Sequence, residues 1–210
     1  KHVRYRTTKS GLNYYGIKRA FRDLEYSLHG SYQSRNCALA LGVVELLEMK
    51  GFRISSLDIL DGLKNTTWPG RMHIVSRNPL TILDGAHNPG AARKLAEAAR
   101  ADFSYDRLFL VLGVMEDKDI DEMLRIILPV SDYVICTSPD YYRSADPEDV
   151  MRRVSLHGKG GEVIPRVGKA IERARKKASP GDMILVTGSL FTVGEALTYF
   201  DPDRYRPDEM

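Results

Sequence analysis

The chain has 210 residues, of which 43% are hydrophobic and 28% charged, and its formal net charge is +3. This composition allows a buried core and a soluble protein. The basic residues are scattered, which suits a protein that handles anions but does not indicate nucleic-acid binding. No apolar run approaches membrane-spanning length and no signal-peptide pattern is present, so we expect no membrane partner and a cytoplasmic location.

Two further features concern the redox compartment of the chain and whether it is part of a longer protein. Cys37 and Cys136 lie in unrelated apolar segments, so we expect both to be reduced, buried and structural, as in a cytoplasmic protein. The chain begins with Lys1 rather than Met, which suggests that it is a piece of something longer.

The first 72 residues contain few elements. Strands are predicted at 12–17 and 21–28, an amphipathic helix at 34–50 and a shorter helix at 55–65. Pro69-Gly70 breaks any regular structure, so TTWPGR (66–71) is interpreted as a linker. Three or four elements make only a thin domain, and we interpret them as the end of a domain whose start is missing.

From residue 73 onward, strands and helices alternate regularly. Strands are predicted at 73–76, 80–84, 107–114, 132–138, 162–165 and 182–188, and helices at 90–101, 119–130, 147–156, 167–178 and 189–200. Asn88 and Pro89 favour a helix start, as N-cap and first-turn residue. Continuous apolar strands with helical crossovers predict an α/β fold: a Rossmann-like, doubly wound, mostly parallel sheet with an antiparallel edge strand. Residues 201–210 are expected to form a loose polar tail.

Most polar residues that could form a site lie in the loops that directly follow the predicted strands. They lie in DGAHNPG (84–90), VMEDKD (114–119), TSPDYYRSAD (137–146) and TGSLF (187–191), whereas the opposite loops look like ordinary turns. Ligands of parallel sheets bind beyond the carboxyl ends of the strands. The sequence therefore predicts a site at this edge.

Each of these residues also has a plain structural interpretation. Asp84 could simply cap a helix, His87 could be an exposed loop residue, and Arg71 could be structural. Lys118 with Asp119 could form a solvated pair, and Arg143 could be plain surface. Two helix N-termini at one edge would nevertheless suit a substrate that carries carboxylate groups.

Several common motifs are missing from the sequence. There is no GxxxxGK[ST] phosphate loop, and HGKGGE (157–162) precedes a strand rather than opening a helix. No CxxC, HExxH or Gly-x-Ser-x-Gly spacing occurs. We therefore predict no metal site within this chain and no nucleophile elbow.

Four motifs in order resemble the folylpolyglutamate synthase/dihydrofolate synthase family of the Mur ligase superfamily. They are GSYQSRNCALA (30–40), WPGR (68–71), DGAHNPGA (84–91) and VTGSLFTVGEAL (186–197), with GVMEDKD (113–119) and TSP (137–139) between them. The resemblance covers nearly the whole chain but only the C-terminal portion of the family. It implies that residues 1–71 are the remnant of an ATP-binding central domain plus a hinge. Residues 72–200 would be the Rossmann-like C-terminal domain, followed by the tail at 201–210.

The same resemblance implies an ATP-dependent amide ligase. ATP phosphorylates a carboxylate of the pteroate or folate substrate, and the amino group of L-glutamate attacks the acyl phosphate. The phosphate loop and the Mg²⁺ ligands would lie upstream, so this chain alone is expected to be inactive and, in our interpretation, monomeric. Positioning and charge neutralisation carry such phosphoryl transfer.

The family's functional residues map onto positions of this sequence. Asn36 would touch the adenine, with Gln33 supporting its loop, and Arg71 would reach the ATP phosphates. Asp84 would contact the nucleotide and help to hold the closed arrangement. His87 and Ser189 would bind the incoming glutamate, and His87 and Asp84 are the predicted catalytic residues. The family often has His where this chain has Tyr32, which leaves the role of that position open.

Two other functions remain open at this point. One is the C-terminal domain of a cell-wall Mur ligase, although such enzymes usually carry an aromatic residue at the place of Gly85, and WPGR is less typical of them. The other is a nucleotide-binding module without catalysis, which fold alone does not exclude. The sequence does not distinguish addition of the first glutamate from extension of the glutamate tail.

Overall fold

The structure, a computed structural model, describes residues 3–30 and 32–206. The chain divides into two compact units, Lys1–Trp68 and Pro69–Met210. Within the described part, no helix is long and apolar enough to cross a membrane.

The N-terminal unit combines a small antiparallel sheet with two helices. Its elements are β1 (Arg4–Thr7), β2 (Leu12–Tyr15), β3 (Ala20–Leu24), α1 (Gln33–Met49) and α2 (Ser56–Asn65). The sheet order is β1-β2-β3. The core of this unit is a cluster of buried side chains: Leu12, Tyr14, Leu24, Cys37, Ala38, Leu41 and Ile59. Helix α2 begins with a capping box, in which Ser55 and Asp58 each accept a hydrogen bond from the other's backbone N–H.

Helix α1 differs from the amphipathic helix that we predicted. Leu39, Val43 and Leu46 on this helix are more than half exposed, whereas Glu45 is buried. Glu45 accepts hydrogen bonds from the Tyr14 hydroxyl and from the backbone N–H groups that follow β2, at 2.7–2.9 Å. Burial pushes the pKa of Glu45 up, but these donors outweigh it and lower the pKa. A tertiary contact, not helical periodicity, therefore buries this charged residue.

The C-terminal unit contains the alternating elements predicted from residue 73 onward. Its strands are β4 (His73–Arg77), β5 (Leu80–Leu83), β6 (Leu108–Leu112), β7 (Tyr133–Cys136), β8 (Gly161–Val163) and β9 (Met183–Thr187). Its helices are α3 (Pro89–Asp102), α4 (Ile120–Ile127), α5 (Pro147–Leu156), α6 (Val167–Lys177) and α7 (Leu190–Phe200). The predicted helix at 119–130 ends at Ile127 and continues as a 3-10 turn, because Pro129 has no backbone N–H to donate.

The sheet of this unit has the order β4-β5-β9-β6-β7-β8. Strand β4 is antiparallel to β5, and the other neighbouring pairs are parallel. This confirms the predicted α/β class, with a mostly parallel sheet and an antiparallel edge strand. Because β9 lies between β5 and β6, the last strand of the chain occupies the centre of the sheet.

Both faces of the sheet are covered. Helices α6 and α7 pack on one face, where Phe109, Val111, Ile184 and Val186 join their apolar residues in a single buried cluster. The alternate side chains of β6 point to the other face and are also buried. Helix α4 contacts both α3 and α5. Burial on both faces explains why the strands are continuous apolar runs.

The predicted loose tail is partly ordered. Residues 201–206 turn back, the Thr198 hydroxyl donates to the Tyr205 carbonyl at 2.5 Å, and Tyr205 packs against the cluster beneath α6 and α7. Residues 207–210 of the predicted tail lie outside the described residues.

Candidate functional site

The polar loops singled out in the sequence follow strands of the same sheet, at their carboxyl ends. The loop after β5 begins at Asp84, the loop after β6 at Gly113 and the loop after β9 at Gly188. Since β9 lies between β5 and β6, these three loops are neighbours. This is the edge at which ligands of parallel sheets bind.

Asp84 is a buried carboxylate that organises this edge. Its side chain is 7% exposed; Oδ2 accepts from the Met72 backbone N–H at 2.9 Å, and Oδ1 accepts from the Ala86 N–H at 3.0 Å. Burial raises the pKa of Asp84, and these two donors together with the charges of Arg71 and His87 oppose the rise. The carboxylate therefore fixes the loop after β5 and the backbone at Met72.

The segment Gly70–Met72 is held against that loop. The Gly85 N–H donates to the Gly70 carbonyl at 2.8 Å, and Met72 is fixed by Asp84 at a φ of 44°, a left-handed conformation that costs energy in a residue other than glycine. Gly70 has a φ of 75°, and a Cβ there would lie 2.5 Å from Val193 on α7. Arg71 thus lies between two residues whose backbone groups are hydrogen-bonded to the loop after β5, and Arg71 itself is exposed.

His87 is half-buried in the same loop. Its Nδ1 lies 2.8 Å from the Gly85 carbonyl oxygen. A carbonyl can only accept a hydrogen bond, so Nδ1 must carry the proton of this contact. In the neutral ring Nε2 is then the acceptor, and it can receive an N–H or take a proton.

Two helices begin beside this loop with side-chain caps. Asn88 accepts from the Ala91 N–H at 2.9 Å and precedes Pro89, the first residue of α3, as predicted. Ser189 caps α7 and accepts from the Thr192 N–H at 3.0 Å. Both N-termini therefore lie at the carboxyl edge of the sheet, where they favour a bound anion.

Ser189 is 1% exposed, and its hydroxyl is engaged in a short chain of hydrogen bonds. The Thr192 hydroxyl donates to the Gly113 carbonyl at 2.8 Å, so in the 2.8 Å contact between the two hydroxyls Ser189 is the donor. Ser189 thus joins α7 to the start of the loop after β6. Its predicted role in glutamate binding stays a prediction.

The predicted residues fall in both units. Arg71, Asp84 and His87 are brought together in the C-terminal unit, because Asp84 accepts from the backbone N–H groups of Met72, which follows Arg71, and of Ala86, which precedes His87. Asn36 lies in the first turn of α1 in the N-terminal unit, and its Nδ2 donates to Gln33 Oε1 at 2.8 Å. This contact fits the supporting role that the family resemblance implies for Gln33.

Lys118 and Asp119, which could have formed a solvated pair, do not pair with each other. Lys118 lies 2.7 Å from Asp117, and Asp119 caps α4 by accepting from the Glu122 N–H. In residues 3–30 and 32–206, no three His, Cys, Asp or Glu side chains converge in a way that would hold a metal ion.

Arg143 is more buried and makes more contacts than its sequence context indicates. Arg143 is half-buried, not plain surface, and its guanidinium lies 5.3 Å above the Tyr141 ring. Tyr141 in turn stacks on Phe191 of α7 at a centroid distance of 3.8 Å. The run YYR in an edge loop was the only sequence signal, and it does not by itself indicate stacking across to another helix.

Comparison with known proteins gives a consistent result. The family described as Mur ligase, glutamate ligase domain matches residues 70–190. A curated relative from Haloferax volcanii, "Probable bifunctional folylpolyglutamate synthase/dihydropteroate synthase", is 39% identical over 179 residues, which are 84% of this chain and 20% of that protein.

Solved structures also match both units of the chain. Escherichia coli FolC in complex with DHPP and ADP gives a TM-score of 0.84 at 30% identity, over 95% of this chain and 46% of that chain. The bifunctional folylpolyglutamate synthase/dihydrofolate synthase from Yersinia pestis with Mn, AMPPNP and L-glutamate bound gives 0.75 at 27%, over 92% and 45%. The chain therefore spans less than half the length of these proteins. It belongs to the Mur ligase family with a glutamate ligase domain, and it is similar to the C-terminal portion of folylpolyglutamate synthase/dihydrofolate synthase.

Proposed function

We propose that the complete gene product containing this chain is an ATP-dependent ligase that adds L-glutamate to a folate or dihydropteroate carboxylate through an acyl phosphate. This chain would contribute the part that binds the incoming glutamate and closes on ATP. Similar proteins carry the name of that activity, and their structures hold ADP, AMPPNP, DHPP or L-glutamate.

The observation that carries this proposal is the cluster of Arg71, Asp84 and His87 at the carboxyl end of β5, beside the N-termini of α3 and α7. A ligase of this kind must hold several negative charges close together, on the phosphates, the acyl phosphate and the glutamate. A cation, a hydrogen-bond acceptor for an amine and two helix N-termini supply complementary groups.

In this scheme the residues have distinct tasks. Arg71 contacts the ATP phosphates, and the Asp84 carboxylate holds the Arg71 segment in place and contacts the nucleotide. His87 Nε2 accepts a hydrogen bond from the glutamate amino group and can take its proton as the amine attacks. Ser189 at the start of α7 binds the glutamate together with His87, and Asn36 contacts the adenine.

We also infer the domain organisation, the divalent cation, the location and the oligomeric state of the enzyme. Residues 1–71 would be the end of an ATP-binding domain with its hinge, followed by the C-terminal domain at 72–200 and the tail at 201–210. The divalent cation would be Mg²⁺, with ligands upstream of this chain. Both cysteines are buried free thiols, which is consistent with a reducing cytoplasm, and we take the protein to be a monomer.

Neither other function has a specific observation in its favour. The proteins named above act on folates rather than on cell-wall precursors, according to their names. The proteins named above are also named as synthases rather than as non-catalytic modules.

The test is ADP release by the complete gene product with ATP, with L-glutamate added or withheld. Separate assays use dihydropteroate, tetrahydrofolate or a cell-wall precursor as the acceptor. Turnover that needs both glutamate and a pterin supports the proposal, and the preferred pterin identifies the step. Turnover only with the cell-wall precursor and its own amino acid contradicts it. So does tight nucleotide binding by this chain without turnover for any pairing.

A further inference from the structure

The loop after β7, residues 137–146, is firmly attached to the loops that form the candidate site. The Glu116 N–H donates to the Arg143 carbonyl at 2.9 Å, and the Ala145 N–H donates to the Val114 carbonyl at 3.0 Å. From the other side, the Asp140 N–H donates to Glu195 on α7 at 2.5 Å. A loop with partners in the β6 loop and in α7 is a fixed part of the edge.

Arg143 is held on this loop by aromatic rings. Its Cζ lies 5.3 Å from the centroid of Tyr141 and 5.6 Å from that of Tyr142, and its Nη2 donates to the Tyr141 hydroxyl at 3.2 Å. The stack of Tyr141 on Phe191 anchors that platform to the first turn of α7. The guanidinium is therefore preorganised, so little side-chain entropy is lost when it binds a partner.

The hydrogen-bonding capacity of Arg143 is largely unused by the described residues. Its Nε is buried and has no hydrogen-bond partner among them. Asp117 is close enough to stabilise the charge of Arg143, but its carboxylate lies 2.7 Å from Lys118. Of the terminal N–H groups of Arg143, one donates to Tyr141, and the remaining ones are suited to bind a planar anion.

The strand order of the sheet determines how far the loop of Arg143 lies from the other loops of the candidate site. His87 follows β5, and β7 is three strand positions from β5 in the sheet, so the two strand ends are about 14 Å apart. An extended arginine side chain and a substrate with two carboxylates can bridge that distance together. The described part of the edge thus offers an amine acceptor at His87 and a preorganised carboxylate receptor at Arg143.

We propose that Arg143, supported by Tyr141 and Phe191, binds a carboxylate of the incoming amino acid and thereby favours a dicarboxylic substrate. This inference rests on the proposed function, and it names a residue that lies outside the motifs of the family resemblance. The carboxylate pairs with the two terminal Nη groups of the guanidinium, in a bidentate geometry that arginine favours.

The test is the steady-state kinetics of Arg143→Met and Arg143→Lys in the complete gene product, with ATP and the preferred pterin. Methionine keeps the length and the contact with the tyrosine rings but has no charge, whereas lysine keeps the charge without the fork. We expect the KM for L-glutamate to rise roughly 10- to 100-fold in Arg143→Met, the size expected for a lost charged hydrogen bond, and less in Arg143→Lys. The KM for ATP should stay within about twofold in both.

The matched control is Arg152→Met, because Arg152 is an exposed arginine of α5 that pairs with Asp149. It should leave the glutamate KM unchanged. An unchanged glutamate KM in Arg143→Met overturns the inference while the proposed function stands. An equal loss for ATP and glutamate also overturns it, because it would indicate a merely structural arginine. Wild-type enzyme that releases ADP without needing glutamate overturns the proposed function itself.

Discussion

Asp84 is subject to two opposing effects. Burial favours its neutral form, while two backbone N–H groups and the nearby Arg71 and His87 favour the carboxylate. The same contacts connect the segment Gly70–Met72 to the loop after β5. A single side chain thus links the backbone geometry at Met72 to the electrostatics of the candidate site.

Arg71 and His87 should affect different substrates. We expect His87→Ala to raise the KM for L-glutamate by about tenfold or more with little change for ATP, because the imidazole would meet the amine. Arg71→Ala should do the reverse, because its cation would meet the phosphates. Steady-state kinetics of the complete gene product with each substrate varied in turn would measure both. If neither dependence changed, the site assignment would be wrong even though the family is right.

The two helix caps allow a sharper test of Ser189. Asn88→Ala removes one N-cap hydrogen bond and should cost about 1 kcal/mol of stability, whereas Ser189→Ala also removes the bond to the Thr192 hydroxyl and should cost about 2 kcal/mol. If Ser189 also binds glutamate, only Ser189→Ala should raise the glutamate KM, roughly tenfold. Thermal melts and kinetics of the two variants give the comparison. Equal KM values in both would leave Ser189 with its capping role alone.

At the scale of elements, the start of α7 depends on a close approach between the backbones of Gly188 and Gly113. Gly188 has a φ of 112°, and a Cβ there would lie 2.5 Å from the Gly113 carbonyl oxygen. That contact places the Ser189 cap directly above β6. The start of α7 is therefore set by backbone against backbone, with no space for a side chain.

Alanine at Gly188 should therefore be strongly destabilising. We expect Gly188→Ala to lower the free energy of unfolding by about 2 kcal/mol or more, since both the left-handed φ and the clash oppose it. Gly194 is the matched control, because it lies exposed inside α7, where a Cβ would have no neighbouring atom within 4 Å. Gly194→Ala should stabilise by about 0.5–1 kcal/mol. Denaturant unfolding measures both, and an equal response of the two variants would refute this account of the crossing.

At the scale of the whole molecule, the chain contains two cores in two units. The C-terminal unit has a covered six-stranded sheet with a large buried cluster, whereas the described residues of the N-terminal unit form a small core and leave several apolar side chains of α1 exposed. A unit below 70 residues buries proportionally less surface than a larger one. Stability should accordingly be concentrated in residues 69–210.

We expect a fragment of residues 69–210 to fold without the rest of the chain. Its sheet, both helical layers and the Asp84 contacts all come from its own residues. Circular dichroism should show mixed helix and strand with one cooperative thermal transition. A fragment that melted without cooperativity, while the whole chain melted sharply, would show that this unit is not self-sufficient.

Local patterns of the sequence were sufficient for much of the fold. The alternation of apolar strands and helices from residue 73 predicted each element there, because burial on both faces leaves continuous apolar runs. Strand β1 was missed, since its side chains are all exposed and give no apolar signal. The predicted strand at 21–28 ends at Leu24, and the buried charge of Glu45 had no local signal either.

The sequence by itself determined the α/β class, the N-cap of α3 at Asn88, the motifs of the family and the polar loops at the carboxyl ends of the strands, because these depend on local composition and spacing. Only the tertiary structure decided that β9 lies between β5 and β6, that Asp84 holds Met72, and that Arg143 rests on a ring anchored by Phe191. Such contacts join residues far apart in the chain. Their partners are chosen by packing and hydrogen-bond satisfaction in three dimensions, which no local pattern encodes.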